Sequence, residues 1–182
     1  KAFFLWSKRT KRENYLFFKS EPNKKAIIYH PQLFDTVVKG LAMKALWQIS
    51  RFKELKLPVG LNLPTIIFID EPYLAAFGSA YVNLSKEEVI TPLNEVIETI
   101  KQGNNVLVGI HCCANTDWGM LMETKVDILN FDAYGFISNL ALYPEELAVF
   151  LNRGGMLAWG IVPSSDEVVK ENAETLFKRF EE

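Results

Sequence analysis

His111, Cys112 and Cys113 close the apolar run Val106-Leu-Val-Gly-Ile110. A continuous β-branched run of this kind reads as a buried parallel strand, and in α/β proteins ligands bind at the carboxyl ends of such strands. Alternation along a strand puts His111 and Cys113 on one face and turns Cys112 to the other. An imidazole and a thiolate converging from one strand end suit Zn²⁺, which takes such ligands at about 2.0–2.3 Å. Two neighbouring apolar runs also end in polar groups: Asp70-Glu71 after Thr65–Ile69, and Asn130 with Asp132 after Val126. A fourth ends at Trp159 and Pro163-Ser164. Asp132 can supply an oxygen ligand beside His111 and Cys113, giving the three protein donors a catalytic zinc commonly takes.

Helices and strands in alternation must position these groups. Phe34, Val37, Val38, Leu41, Ala45, Ile49 and Phe52 recur at helical spacing behind Pro31. Ser85-Lys-Glu-Glu88 is a capping box ahead of Val89, Leu93, Val96, Ile97 and Ile100, with Pro92 expected to bend the first turns. Lys101 and Gly103 suit the end of that helix. A short helical stretch is expected near residues 119–123 and another after Pro144-Glu145-Glu146, and a strand over Gly155 to Val162. A last helix opens at Ser164-Ser-Asp-Glu167. This rhythm implies right-handed βαβ units and a parallel sheet. Tyr15–Phe18 is a candidate fifth strand. Residues 1–25 fit the rhythm poorly and stay unassigned, while 26–182 read as one repeating unit.

Other groups have plainer readings. Cys112 suits a small buried hydrophobe, His30 a cap before Pro31, and Asp127 a turn at the opposite rim. Trp118 and Trp159 suit core or pocket walls.

The chain has 182 residues, 49% of them hydrophobic, and a formal net charge of −2. That supports one domain with a real core and gives no electrostatic reason to expect nucleic acid or an anionic membrane as partner. No apolar run approaches the roughly 20 residues that cross a bilayer. The two cysteines are adjacent, which disfavours a conventional structural disulfide, so a reducing, cytoplasmic setting is expected.

Three segments together resemble the superfamily of cobalamin-independent methionine synthases and uroporphyrinogen decarboxylases. Phe68-Ile-Asp-Glu-Pro72 resembles the Ile-Asp-Glu-Pro strand end of the synthases. Ile110-His-Cys-Cys113 resembles their His-x-Cys zinc segment, and Val126-Asp-Ile-Leu-Asn-Phe-Asp132 the strand whose last acidic residue completes the ligands. The resemblance implies a parallel (β/α)8 barrel of the TIM type, present here in part. It implies a zinc-dependent methyltransferase that moves a methyl group from a folate or corrinoid donor to a zinc-activated thiol such as homocysteine. His111, Cys113 and Asp132 would be the zinc ligands. Asp70 would hold the substrate's amino group, with Glu71, Asn130 and Trp159 as further substrate-binding candidates. The family takes a second cysteine ligand from a later strand, and no cysteine follows Cys113 here. A fragment, or an oligomer whose partner chain closes the sheet edges, is therefore expected. The alternatives are a uroporphyrinogen decarboxylase-like enzyme, disfavoured because no arginine stands at the recognisable strand ends, and a degenerate barrel that binds ligand without catalysis.

Overall fold

The computed structural model describes residues 2–4, 27–55, 63–80 and 82–181. Five strands form one sheet: β1 (Ala2–Phe4), β2 (Thr65–Asp70), β3 (Val106–Cys112), β4 (Ile128–Phe131) and β5 (Met156–Trp159). They lie in sequence order and every neighbouring pair is parallel. The chain is therefore an α/β fold with a parallel sheet. The expected candidate strand Tyr15–Phe18 lies outside the described residues. The first strand is instead Ala2–Phe4, whose three residues are too few to show a period in the sequence.

Between the strands run α1 (Pro31–Lys53), α2 (Lys86–Lys101), α3 (Trp118–Glu123), α4 (Ala133–Leu140) and α5 (Pro144–Asn152), with α6 (Ala173–Glu181) last. The apolar stripe of α1 buries Val38, Ala42, Ala45 and Ile49. That of α2 buries Val89, Leu93, Val96, Ile97 and Ile100. At about 1.5–3 kcal/mol for each fully buried aliphatic side chain, such stripes rather than intrinsic propensity hold the helices. The capping box forms as read: Glu88 N donates to Ser85 Oγ at 3.2 Å and Ser85 N donates to the Glu88 carboxylate at 2.8 Å. The helix runs on through Pro92. Gly103, at φ 68°, turns the chain left-handed just past its end.

Two elements differ from the sequence reading. Asp132 opens the additional helix α4, accepting from Gly135 N at 3.1 Å. The Ser164–Glu167 start splits into a short 3-10 turn over Asp166–Lys170, capped by Ser165, and the separate α6.

Sequential order has a strong consequence. Right-handed crossovers that all step the same way put their helices on the same face. The core shows this directly. Ile67 and Ile69 of β2, Val106, Val108, Ile110 and Cys112 of β3, and Leu129 and Phe131 of β4 form one cluster with the buried stripes of α1 and α2. Phe68 and Ile128, of opposite parity, are buried yet stand outside that cluster. They mark the second face, which none of these helices covers.

At the amino-terminal rim, Asp127 accepts from Val108 N at 2.8 Å and pairs with Lys101 at 2.7 Å, so it joins β3, β4 and α2 as a turn residue. Substituting Ser85 with Ala removes one acceptor at the start of α2 and is expected to cost about 1 kcal/mol. The urea midpoint should fall with an unchanged slope. An unchanged midpoint would mean that the box contributes nothing to stability.

Candidate functional site

Strand register places three of the candidate residues in one row. Asp70 of β2 stands opposite His111 of β3, and His111 stands opposite Asn130 of β4. All three share the parity of Phe68 and Ile128, so the row crosses the helix-free face at the carboxyl ends of three adjacent strands. Each is half-buried. Asn130 is fixed sideways by donating from Nδ2 to Ala158 O of β5 at 2.9 Å.

Local structure around the row is tied together. Glu71 N donates to His111 O at 3.0 Å, carrying the β2–β3 ladder one residue past β2. The buried Thr116 hydroxyl donates to Leu74 O at 2.7 Å, which joins the loop after β3 to the turn after β2. Tyr134 N donates to Gly160 O at 3.1 Å, joining α4 to the loop after β5. Thr116 had no signal in the sequence, because a lone threonine in a loop carries none.

The two cysteines take opposite positions. Cys112 is buried in the helix-side core and its Sγ lies 3.4 Å from Ala114 O. Burial pushes its thiol up to about 11, so it is a neutral packing group. Cys113 follows the last residue of β3 and is exposed.

Among the described residues, two buried side-chain polar atoms lack a hydrogen-bond partner: Glu71 Oε2 and His111 Nδ1. Buried polar atoms are nearly always paired. These two sit on residues joined by a backbone hydrogen bond, at the end of the row. Glu71 is fully buried, and desolvation, helped by the neighbouring Asp70 charge, raises its pKa from 4.5 to about 8.

The remaining candidates are placed differently. Trp159 stands opposite Phe131 and shares its helix-side parity. Its ring lies 5.4 Å from Phe131 and 5.7 Å from Phe180 of α6, centroid to centroid. It is a packing residue of that face and does not join the row; counting two residues from Phe131's partner would have shown it. Asp132 caps α4 through Oδ1. Among the described residues, no three His, Cys, Asp or Glu side chains are grouped so as to hold a metal ion. His111 and Cys113 nevertheless fit zinc by donor type and strand spacing. Asp132 fits with the carboxylate oxygen that its cap leaves over.

Comparison of the chain with family models, curated proteins and solved structures returns no match. No described helix is long and apolar enough to cross a membrane.

The raised Glu71 pKa gives a pH signature. The folded chain keeps a proton that the unfolded chain releases near pH 4.5. Glu71 therefore costs nothing below about pH 4.5, lowers stability as pH rises through the window to about 8, and holds that full cost above it. Glu71→Gln should flatten the fall in stability between these limits, measured by denaturant midpoints across pH. An equally steep fall in the variant would show that Glu71 is not the titrating group.

Proposed function

We propose that this chain is a portion of a (β/α)8 barrel that acts as a zinc-dependent thiol methyltransferase, with its site at the carboxyl ends of β2, β3 and β4. The observation that carries the reading is the row Asp70–His111–Asn130 on the helix-free face, with the unpartnered His111 Nδ1 and the exposed Cys113 at the same strand end. A sequential parallel sheet with helices on one face can cover its other face by curling into a barrel, whose active site then lies at this rim.

The distribution of exposed apolar side chains supports closure. None of the large ones falls between Leu63 and Ile137 among the described residues. They gather at the two flanks: Leu33, Met43 and Trp47 on α1, and Val149, Leu151, Met156, Phe177 and Phe180 around β5. Further βα units packed on both edges would cover them.

In this reading His111, Cys113 and Asp132 hold the metal. Zinc, when bound, would keep an acceptor thiol as thiolate at neutral pH. Asp70, half-buried beside the metal ligands, offers a carboxylate to a cationic group of the acceptor. Asn130, held by β5, presents its amide oxygen as a fixed acceptor. The rim ties through Thr116 and Glu71 N hold β2 and β3 in place, so that acceptor and methyl donor meet in line. The methyl donor would be a folate or a corrinoid, and such thiol chemistry suits a reducing cytoplasm.

Elemental analysis of the purified chain tests this. Near one zinc per chain is expected, lost in Cys113→Ser and His111→Ala and retained in Cys112→Ser. Asp132→Asn separates the two uses of that residue. Asn caps a helix as well as Asp, so the fold should hold while metal affinity drops about tenfold or more. Equal metal loss from both cysteine variants, or a folded wild type without zinc, would overturn the reading.

A further inference from the structure

One row beneath Asp70, His111 and Asn130 on the same face stand Phe68, Gly109 and Ile128, in register across β2, β3 and β4. The rows are separated by two residues, about 6.6 Å along the strands. Phe68 does not stay over its own strand. A Cβ built on Gly109 would meet Phe68 Cε1 at 2.3 Å, Cδ1 at 2.5 Å and Cζ at 2.9 Å. The ring therefore lies across β3 in the space a side chain at 109 would fill, directly upstream of His111 on its face. Phe68 and Ile128 are buried, yet neither belongs to the helix-side core. Glycine inside a strand weakens it, and here its absent side chain is what admits the ring.

The polar row thus has an apolar floor: a phenyl ring beneath His111 and an aliphatic side chain beneath Asn130. A ligand held by the row must place its polar end against Asp70, His111 and Asn130 and its carbon stem against this floor. We propose that Phe68, laid across Gly109, sets the depth of the site and so selects the chain length of the aliphatic thiol it accepts. This rests on the thiol-transfer reading for the identity of the ligand. The floor itself follows from register and from the Gly109 contact.

The test uses acceptors that differ by one methylene: cysteine, homocysteine and 2-amino-5-mercaptopentanoic acid. Their binding to the cobalt(II)-loaded chain is read from the thiolate-to-metal absorption band. The corresponding S-methyl thioethers are titrated calorimetrically against the metal-free chain. One methylene in an apolar pocket is worth roughly 10-fold or more in selectivity. Phe68→Leu and Phe68→Ala should therefore move the preference toward the longer homologue by about tenfold, in both series. Gly109→Ala, by driving the ring from its seat, should move it the other way. Phe68→Leu, which keeps an apolar side chain of comparable bulk, guards against a misfolded Phe68→Ala, and circular dichroism checks each variant.

Thiols that bind the loaded wild type with a length preference unchanged in the Phe68 variants would overturn the proposal and leave the zinc reading standing. A chain that takes no metal but shifts its thioether preference would support the floor and sink the zinc. A wild-type chain that binds neither series would overturn both.

Discussion

Strand order is the constraint on which the rest of this structure depends. Five parallel strands laid down in sequence order admit helices on one face, because each right-handed crossover steps in the same direction. A strand's side chains alternate with a period of two, so every sheet residue is thereby assigned either to the helix-packed core or to the opposite face. Ile67, Ile69, Val108, Ile110, Leu129 and Phe131 fall on the first. Asp70, His111 and Asn130 fall on the second, where no described helix competes with a ligand for them. Chemistry and packing are separated by parity alone.

That separation explains which polar groups the fold leaves unsatisfied. The amino-terminal rim is satisfied throughout: Asp127 pairs with Lys101 and Val108 N, and Arg153 donates to the carbonyls of Thr124 and Val126. At the opposite rim Glu71 Oε2 and His111 Nδ1 stay unpaired. A buried donor or acceptor without a partner costs about 1–3 kcal/mol. A fold whose stability is of order 5–15 kcal/mol carries two such groups at one spot only where something other than stability requires them.

The helices and the three inner strands were legible because their signals are long and redundant. The α1 stripe spans five turns, the capping box fixes the start of α2, and the apolar β2 and β3 runs are bounded by turn residues. The positions of Asp70, His111 and Asn130 on one face followed from alternation. What stayed hidden has specific causes. Ala2–Phe4 is too short to show a period. Asp132 has the chemistry of both a metal ligand and a helix cap, and its sequence does not choose between them; α4 was missed with it. Trp159 looked like a site residue because it ends a strand, but its parity follows Phe131 and its ring packs against α6. The Phe68–Gly109 contact needed register between two strands, which no single segment contains.

Cys112 and Cys113 show how closely function and closure are bound together. They are adjacent and chemically identical, yet one is a neutral thiol sealed in the core and the other stands exposed at the mouth. A thiolate is useful only where a metal or substrate can reach it, and a charge pair is strong only where water is kept out. The helix-free face supplies the first condition in the chain as it stands. The second requires that face to be covered, and Phe68 and Ile128, buried beneath the polar row, supply its apolar floor. The exposed flanks of α1 and β5 are where the remaining cover would attach. Closing the sheet would bury those apolar side chains and, in the same step, dry the site that Asp70, His111 and Cys113 share. A barrel that completes its core therefore completes its chemistry, which is why a sheet of this order keeps its reactive side chains on the face its helices do not cover.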